Sequence, residues 1–151
     1  MSSTALSLSA ATSSRSVSKQ LPFAVLGSGT ILASVAANAL FYFLGNTVVA
    51  YDPEFLPLAN VSGAIIFTVT FAIGAVLMYA ALRRFTRQPA RIFSVISAIT
   101  FVVTLVPDFT YIPTVPGSTT AQTAVLVMMH VIAALVIVRM LTSSSDRSAA
   151  R

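Results

Sequence analysis

Four long apolar runs, separated by short polar breaks, dominate the chain. The first extends from Leu21 to about Ala50 and is cleanest between Phe23 and Leu44. The second covers Val61 to Leu82, the third Ile92 to Val106, and the fourth Ala121 to Leu141. A bilayer core of about 30 Å needs about 20 helical residues. The third run has only 15 residues and must borrow from the segment toward Ile112. The pattern predicts an all-α fold, an integral membrane bundle of four transmembrane helices spanning about 23–47, 61–82, 91–111 and 120–141. Residues 21–141 then form one transmembrane domain. The first twenty residues, MSSTALSLSAATSSRSVSKQ, lack a sustained period and read as a disordered tail, with a second tail at 142–151.

Composition agrees with the pattern. Hydrophobic residues make up 56% of the chain and charged residues 9%, against roughly 25% charged in soluble domains. A chain of 151 residues cannot hide that much apolar surface from water. Cysteine is absent, which excludes disulfides, thiolate chemistry and cysteine metal sites. Tryptophan is absent too, so Tyr and Phe must supply any aromatic belt.

Charge placement adds a direction. Arg15 and Lys19 precede the first run; Arg83, Arg84, Arg87 and Arg91 lie between the second and third; Arg139, Arg147 and Arg151 end the fourth and form the tail. These are all nine basic residues. The positive-inside rule therefore predicts an N-in/C-in arrangement, with both termini cytoplasmic. Asp52, Glu54 and Asp108 fall on the outer side. A net charge of +5 distributed in this way marks topology, and no nucleic-acid partner is expected. An alternative makes Arg15 and Lys19 the start of a signal peptide cleaved near Ala37-Asn38-Ala39. The apolar run continues through FYFLGNTVVA, longer than a cleaved segment needs. Asn60-Val61-Ser62 matches a glycosylation sequon but sits at the membrane edge.

The loops carry simple signals. RRFTRQPAR, residues 83–91, reads first as the topology signal of a cytoplasmic loop and second as a contact for anionic lipid headgroups through Arg83, Arg84, Arg87 and Arg91. Pro89 suits the first turn of the third helix. YDPEFLPLAN reads as a solvated turn rather than a cation site. In VPDFTYIPTVPGSTT, Pro116-Gly117 is a turn dipeptide, and Ser118 or Thr119 is placed to cap the fourth helix. Tyr51 and Tyr111 suit the outer interface.

Candidate chemistry centres on VLVMMHVIAALVIV, where His130 is the only histidine of the chain. No phosphate loop, paired metal ligands or nucleophile–base set accompanies it, so no catalytic residue, metal site or cofactor is assigned. One histidine can offer haem a single axial ligand, or two in a homodimer, but nothing else supports that ligation. Small and polar residues recur at helical spacing: Gly27, Thr30, Ser34, Asn38, Tyr42 and Gly45 in the first span; Gly63, Thr70 and Gly74 in the second; Ser94, Ser97, Thr100, Thr104 and Asp108 in the third. Such faces pack helices together in a bilayer, and they are expected to point inward. At 1.5 Å per residue, His130 falls roughly 14 Å below the outer edge, and Ser34, Thr70 and Thr104 at roughly 12–14 Å. Asn38 and Asp108 fall at roughly 6–8 Å. Two stacked interior layers follow: Asn38 with Asp108 and Tyr42 above, His130 with the hydroxyls of Ser34, Thr70 and Thr104 below.

The Val106-Pro107-Asp108-Phe109 corner, the Pro116-Gly117 turn and the run Met128-Met129-His130-Val131-Ile132-Ala133-Ala134 resemble a family of small four-helix bacterial membrane proteins. That family is common in actinobacteria and is classed as a domain of unknown function. The resemblance covers residues from about 22 to 141. It implies four spans and a bacterial origin, and it implies no activity.

The residues favour a multi-pass protein of the bacterial cytoplasmic membrane without enzymatic activity, in a structural, accessory, or lipid- or small-ligand-binding role. Its expected partners are the bilayer, anionic headgroups, and a second copy or another membrane protein. The alternative is a small transporter or proton-coupled carrier using His130, Asn38 and Asp108. Coupled carriers need a titratable acid in the substrate path, and only Asp108, near one edge, is offered.

Overall fold

The structure is a computed structural model that describes residues 22–149, with side chains as far as Ser143. The tail expected over residues 1–20 lies outside the described residues, as do Arg15, Lys19, Arg151 and the side chain of Arg147. Four long helices are present among the described residues: α1 (Phe23–Val48), α2 (Val61–Phe85), α3 (Pro89–Thr110) and α4 (Thr120–Ala149). A one-turn helix, Leu56–Ala59, and a 3-10 turn, Ile112–Thr114, occupy the two loops at one end. There is no β-strand among the described residues. The helical backbone continues past Leu141 to Ala149, where the sequence suggests a tail. No Gly or Pro interrupts that stretch.

Local chemistry sets the helix ends. The Asn60 side chain accepts from the Ser62 N–H at 2.9 Å and caps α2. Pro89 opens α3, where a missing N–H costs nothing. Thr119 Oγ1 accepts from the Gln122 N–H at 3.2 Å and caps α4. Ahead of it, the Ser118 N–H donates to Val115 O at 3.1 Å, closing a turn over Pro116 and Gly117. Gly117 has φ +72°, which a glycine adopts without strain. A Cβ at this position would also stand 2.9 Å from Asp52 Cγ.

α1 lies between α2 and α4, while α3 packs chiefly on α4 and more lightly on α2. Two apolar clusters fill the interior. At the end bearing the Asp52, Glu54 and Asp108 carboxylates, Tyr42, Phe55, Leu58, Ile112, Val125 and Met129 pack together. At the opposite end, beside the arginine loop, Ala72, Tyr79, Phe93, Ile137 and Leu141 do so. The Arg83 guanidinium there lies 4.9 Å from the centre of the Phe23 ring. Each long helix is long and apolar enough to cross a membrane, yet at most 22% of any apolar window is buried. Leu32, Phe67, Val102 and Leu135 all face outward. So much outward apolar surface calls for lipid as the solvent.

The small-residue face expected on the second span is not its packed face. Thr70 and Gly74 are exposed, and no atom lies within 4 Å of where a Cβ on Gly74 would stand. Thr68, Ala72 and Tyr79 are buried instead. Thr68 and Thr70 are two residues apart, about 200° around the helix. The seven- and four-residue spacing of Gly63, Thr70 and Gly74 follows one face, but of that face only Gly63, beside Pro57, is half-buried, and Thr70 and Gly74 point outward.

Candidate functional site

Near the end that carries the acids, α3 presents Asp108 to α4. Asp108 is only 5% exposed. Its Oδ2 lies 3.2 Å from His130 Nδ1. The same nitrogen lies 3.0 Å from the carbonyl of Leu126, one turn back on α4. Nδ1 faces two acceptors, a carbonyl and a carboxylate, so it is assigned the hydrogen, and the directed bond is the one to Leu126 O. The contact with Asp108 is a close approach without a directed hydrogen bond. Oδ2 has no hydrogen bond of its own, although it is fully buried. The His130 side chain is 35% exposed, so this pair sits at a boundary rather than in a sealed interior.

Asp108 also lines an open cleft of about 560 Å³ between the end of α3, the 3-10 turn and the first turns of α4. Phe109, Pro113, Val127 and Met128 supply apolar walls, and Ser118, Thr119, Thr120 and Thr123 supply hydroxyls. This volume suits a small organic ligand.

Deeper in the bundle, Asn38 Nδ2 donates to Thr68 Oγ1 at 2.8 Å, joining α1 to α2. Thr68 passes its own hydrogen to Ala64 O at 2.7 Å. Asn38 Oδ1 is buried without a hydrogen bond. Ser34 is buried, but its hydroxyl faces the carbonyls of Thr30 and Ile31 in its own helix. Thr104, half-buried, donates to Phe101 O at 2.8 Å. The Tyr42 hydroxyl donates to Leu58 O at 2.9 Å and holds the first loop down on α1. The Tyr51 hydroxyl donates in turn to Tyr42 O at 2.9 Å. Burial, and secondarily Tyr42, raises the Tyr51 phenol above its usual value, which favours the neutral donor form. Arg83, Arg84, Arg87 and Arg91 are exposed together at the other end.

The two expected layers are thus redrawn. His130 meets Asp108 rather than the hydroxyls of Ser34, Thr70 and Thr104, and Asn38 meets Thr68 rather than Asp108. Thr70 is exposed and donates to Ile66 O of its own helix at 2.8 Å. Tyr42 belongs to the loop contact, not to a layer with Asn38. The depth ruler let all helices begin at one level. Because segment 111–119 climbs above the end of α3, about two turns of α4 lie beyond the level of Asp108.

Sequence reasoning missed Thr68, Gln122 and the α4 threonines. Thr68 carried a signal: with Ala72 and Tyr79 it forms a helical stripe ending in a polar aromatic. Gln122 is 2% exposed. With its amide oriented to suit its neighbours, it donates to Gly117 O at 3.1 Å and accepts from the Asp52 N–H at 3.0 Å, tying the two loops together. Nothing local in the sequence marks that bridge. Among the described residues, no group of three or more His, Cys, Asp or Glu stands where it could hold a metal ion.

Four membrane-length helices around a partly polar interior define a multi-pass integral membrane protein. The chain belongs to a family of unknown function (DUF6069), whose model matches residues 19–147. No curated protein and no solved structure shows a match to it.

Proposed function

We propose that this chain is a non-enzymatic accessory bundle of the bacterial cytoplasmic membrane that binds lipid or a small ligand, with both termini in the cytoplasm. The observation that carries this reading is the separation of charge along the bundle. Arg83, Arg84, Arg87 and Arg91 stand exposed at one end, and Asp52, Glu54 and Asp108 belong to the other. Basic loops stay cytoplasmic, where anionic headgroups attract them by about 1 kcal/mol per residue near the surface. The hydroxyls of Ser34, Thr70 and Thr104 are engaged by carbonyls of their own helices, which supports a role without a nucleophile. A periplasm-active reporter fused after Arg151 should stay silent, and one inserted at Pro116 should be active. The reverse pattern sinks the orientation.

The Asp108–His130 contact favours a second reading, a proton-coupled carrier. Weighing against it, the half of the core beside the arginines is the apolar cluster of Ala72, Tyr79, Phe93, Ile137 and Leu141. Proteoliposomes carrying a trapped pH dye separate the two: the carrier reading requires proton flux that Asp108→Asn abolishes.

A further inference from the structure

We propose that the α3–α4 cleft binds a lipophilic organic ammonium ion, with its charged head against Asp108. The proposal deepens, and rests on, the reading of the chain as a binding bundle.

The first ground is an unmet demand. A buried carboxylate oxygen normally has hydrogen-bond donors, and leaving it without one is costly. Asp108 Oδ2 has none: His130 Nδ1 lies 3.2 Å away with its directed bond to Leu126 O, and the Asp108 side chain that carries the oxygen lines the cleft. An ammonium group brings three donors and a full positive charge. The second ground is the field. Arg83, Arg84, Arg87, Arg91 and Arg139 lie at or toward the opposite end, while Asp52 and Glu54 share the end that holds Asp108. A cation is therefore favoured at this cleft and an anion disfavoured. The third ground is the lining. Phe109, Pro113, Val127 and Met128 form the walls, so the ligand carries its charge on an apolar body.

An ammonium group reaches such a cleft either on a free amine or on a lipid headgroup, and depth decides between them. Asp108 meets His130 and so lies about two turns inward of Thr119 and Thr120, where α4 begins. Thr120 and Val127 are about 10 Å apart along α4. A lipid would have to push its headgroup inward past the threonines, against the direction of its own chains. A free amine enters with its charge first and leaves its apolar body against the walls.

The full chain in phosphatidylcholine nanodiscs tests this by equilibrium dialysis with labelled 4-phenylbutylammonium, with empty nanodiscs as the blank. Saturable binding is expected, with no competition from the matching alcohol, 4-phenylbutanol. Asp108→Asn keeps the size of the side chain and should weaken binding at least tenfold. Ala124→Phe fills the cleft from an exposed position and should abolish binding while helical content and oligomeric state stay as in the parent. The assignment is overturned by an alcohol that competes equally, by unchanged binding in either variant, or by no binding above the blank. Phosphatidylethanolamine nanodiscs should bind the amine as phosphatidylcholine ones do. If they block it, the cleft takes an aminolipid and the free-amine assignment fails. Enrichment of anionic lipid by the arginine loop is measured separately with phosphatidylglycerol. Its presence without amine binding overturns this inference alone, whereas loss of both overturns the binding-bundle reading.

Discussion

α1 and α3 look alike by hydropathy and differ in what they bury. The most apolar windows of these two spans have mean hydropathies of 1.6 and 2.0, both ample for a membrane helix. Both carry a stripe of small and polar residues. In α1 that stripe is the packed face: Gly27, Thr30, Ser34, Asn38 and Tyr42 are buried in unbroken i, i+3/i+4 order. In α3 only Phe93 and Asp108 are buried, one near each end. Thr100 in the middle is exposed, and Ser94 and Thr104 are half-buried. The difference follows from position. α1 has a helix on either flank, whereas α3 leans chiefly on α4. It also follows from chemistry. Ser and Thr satisfy themselves on a carbonyl of their own helix, as Ser94 does on Ala90 O and Thr104 on Phe101 O. Such a residue stands against a neighbour or against lipid at little cost. An amide or a carboxylate has no such escape, and Asn38 and Asp108 are both buried.

The sharpest way to break the comparison is to add bulk to each helix. A Cβ on Gly45 of α1 would strike the Tyr51 hydroxyl and stand 3.3 Å from Val125 Cγ1. Overpacking a filled site costs about 1–3 kcal/mol, and Gly45→Val should fall in the upper part of that range. Tyr51→Phe in the same background should recover part of the loss, since the first obstacle is then gone. On α3, Ala98→Val adds bulk on an exposed face and should stay within about 0.5 kcal/mol of the parent. Unfolding midpoints in sodium dodecyl sulfate titrations measure both. Equal costs would mean that α3 is packed as fully as α1.

The interhelical amide gives the next effect. Thr68→Val leaves Asn38 buried with neither end of its amide bonded, since Oδ1 has no partner already. An orphaned buried group costs about 1–3 kcal/mol. Asn38→Leu also loses the bond, but it removes the orphaned oxygen and leaves Thr68 donating to Ala64 O. Interhelical hydrogen bonds in membranes average about 0.6 kcal/mol, and Asn38→Leu should cost about that. The order is the prediction: the threonine variant must be the less stable of the two. If the leucine variant is the worse, the Asn38–Thr68 bond is not the contact that holds α1 to α2.

These costs also show what the sequence could carry. The all-helical class and the four membrane-length helices were legible, because a long apolar run has few other structures open to it in a bilayer. The Pro116-Gly117 turn was legible because a positive φ selects glycine. The face of α2 was not. Thr70 and Thr68 are chemically identical and each lies on a helical stripe, Thr70 with Gly63 and Gly74 and Thr68 with Ala72 and Tyr79, so the neighbour across the gap, Asn38, decides between them. The partner of His130 was not legible either. It depended on how far segment 111–119 lifts α4, and no residue in that segment encodes its height alone. The Gln122 bridge joins residues from two loops that are brought together only when α1 and α4 pack.

The smallest effect tests that face directly. Thr70 is exposed, and its hydroxyl donates to Ile66 O. Thr70→Val keeps the shape and the β-branch, so helix propensity and packing barely change. It deletes a bond that the Ile66 carbonyl does not need, because that oxygen also accepts the backbone N–H of residue 70 in a regular helix. It also exchanges a hydroxyl for a methyl where the surroundings are hydrocarbon. Stability should change by no more than about 0.5 kcal/mol, and the sign should favour valine if it is resolved at all. Thr68→Val, two positions away, removes the same atoms from the opposite face and should be clearly destabilising. Identical chemistry with opposite outcomes would fix the rotation of α2 without reference to any other residue. If instead Thr70→Val proved as costly as Thr68→Val, the face of Gly63, Thr70 and Gly74 would be packed after all, against α3 or a second copy of the chain.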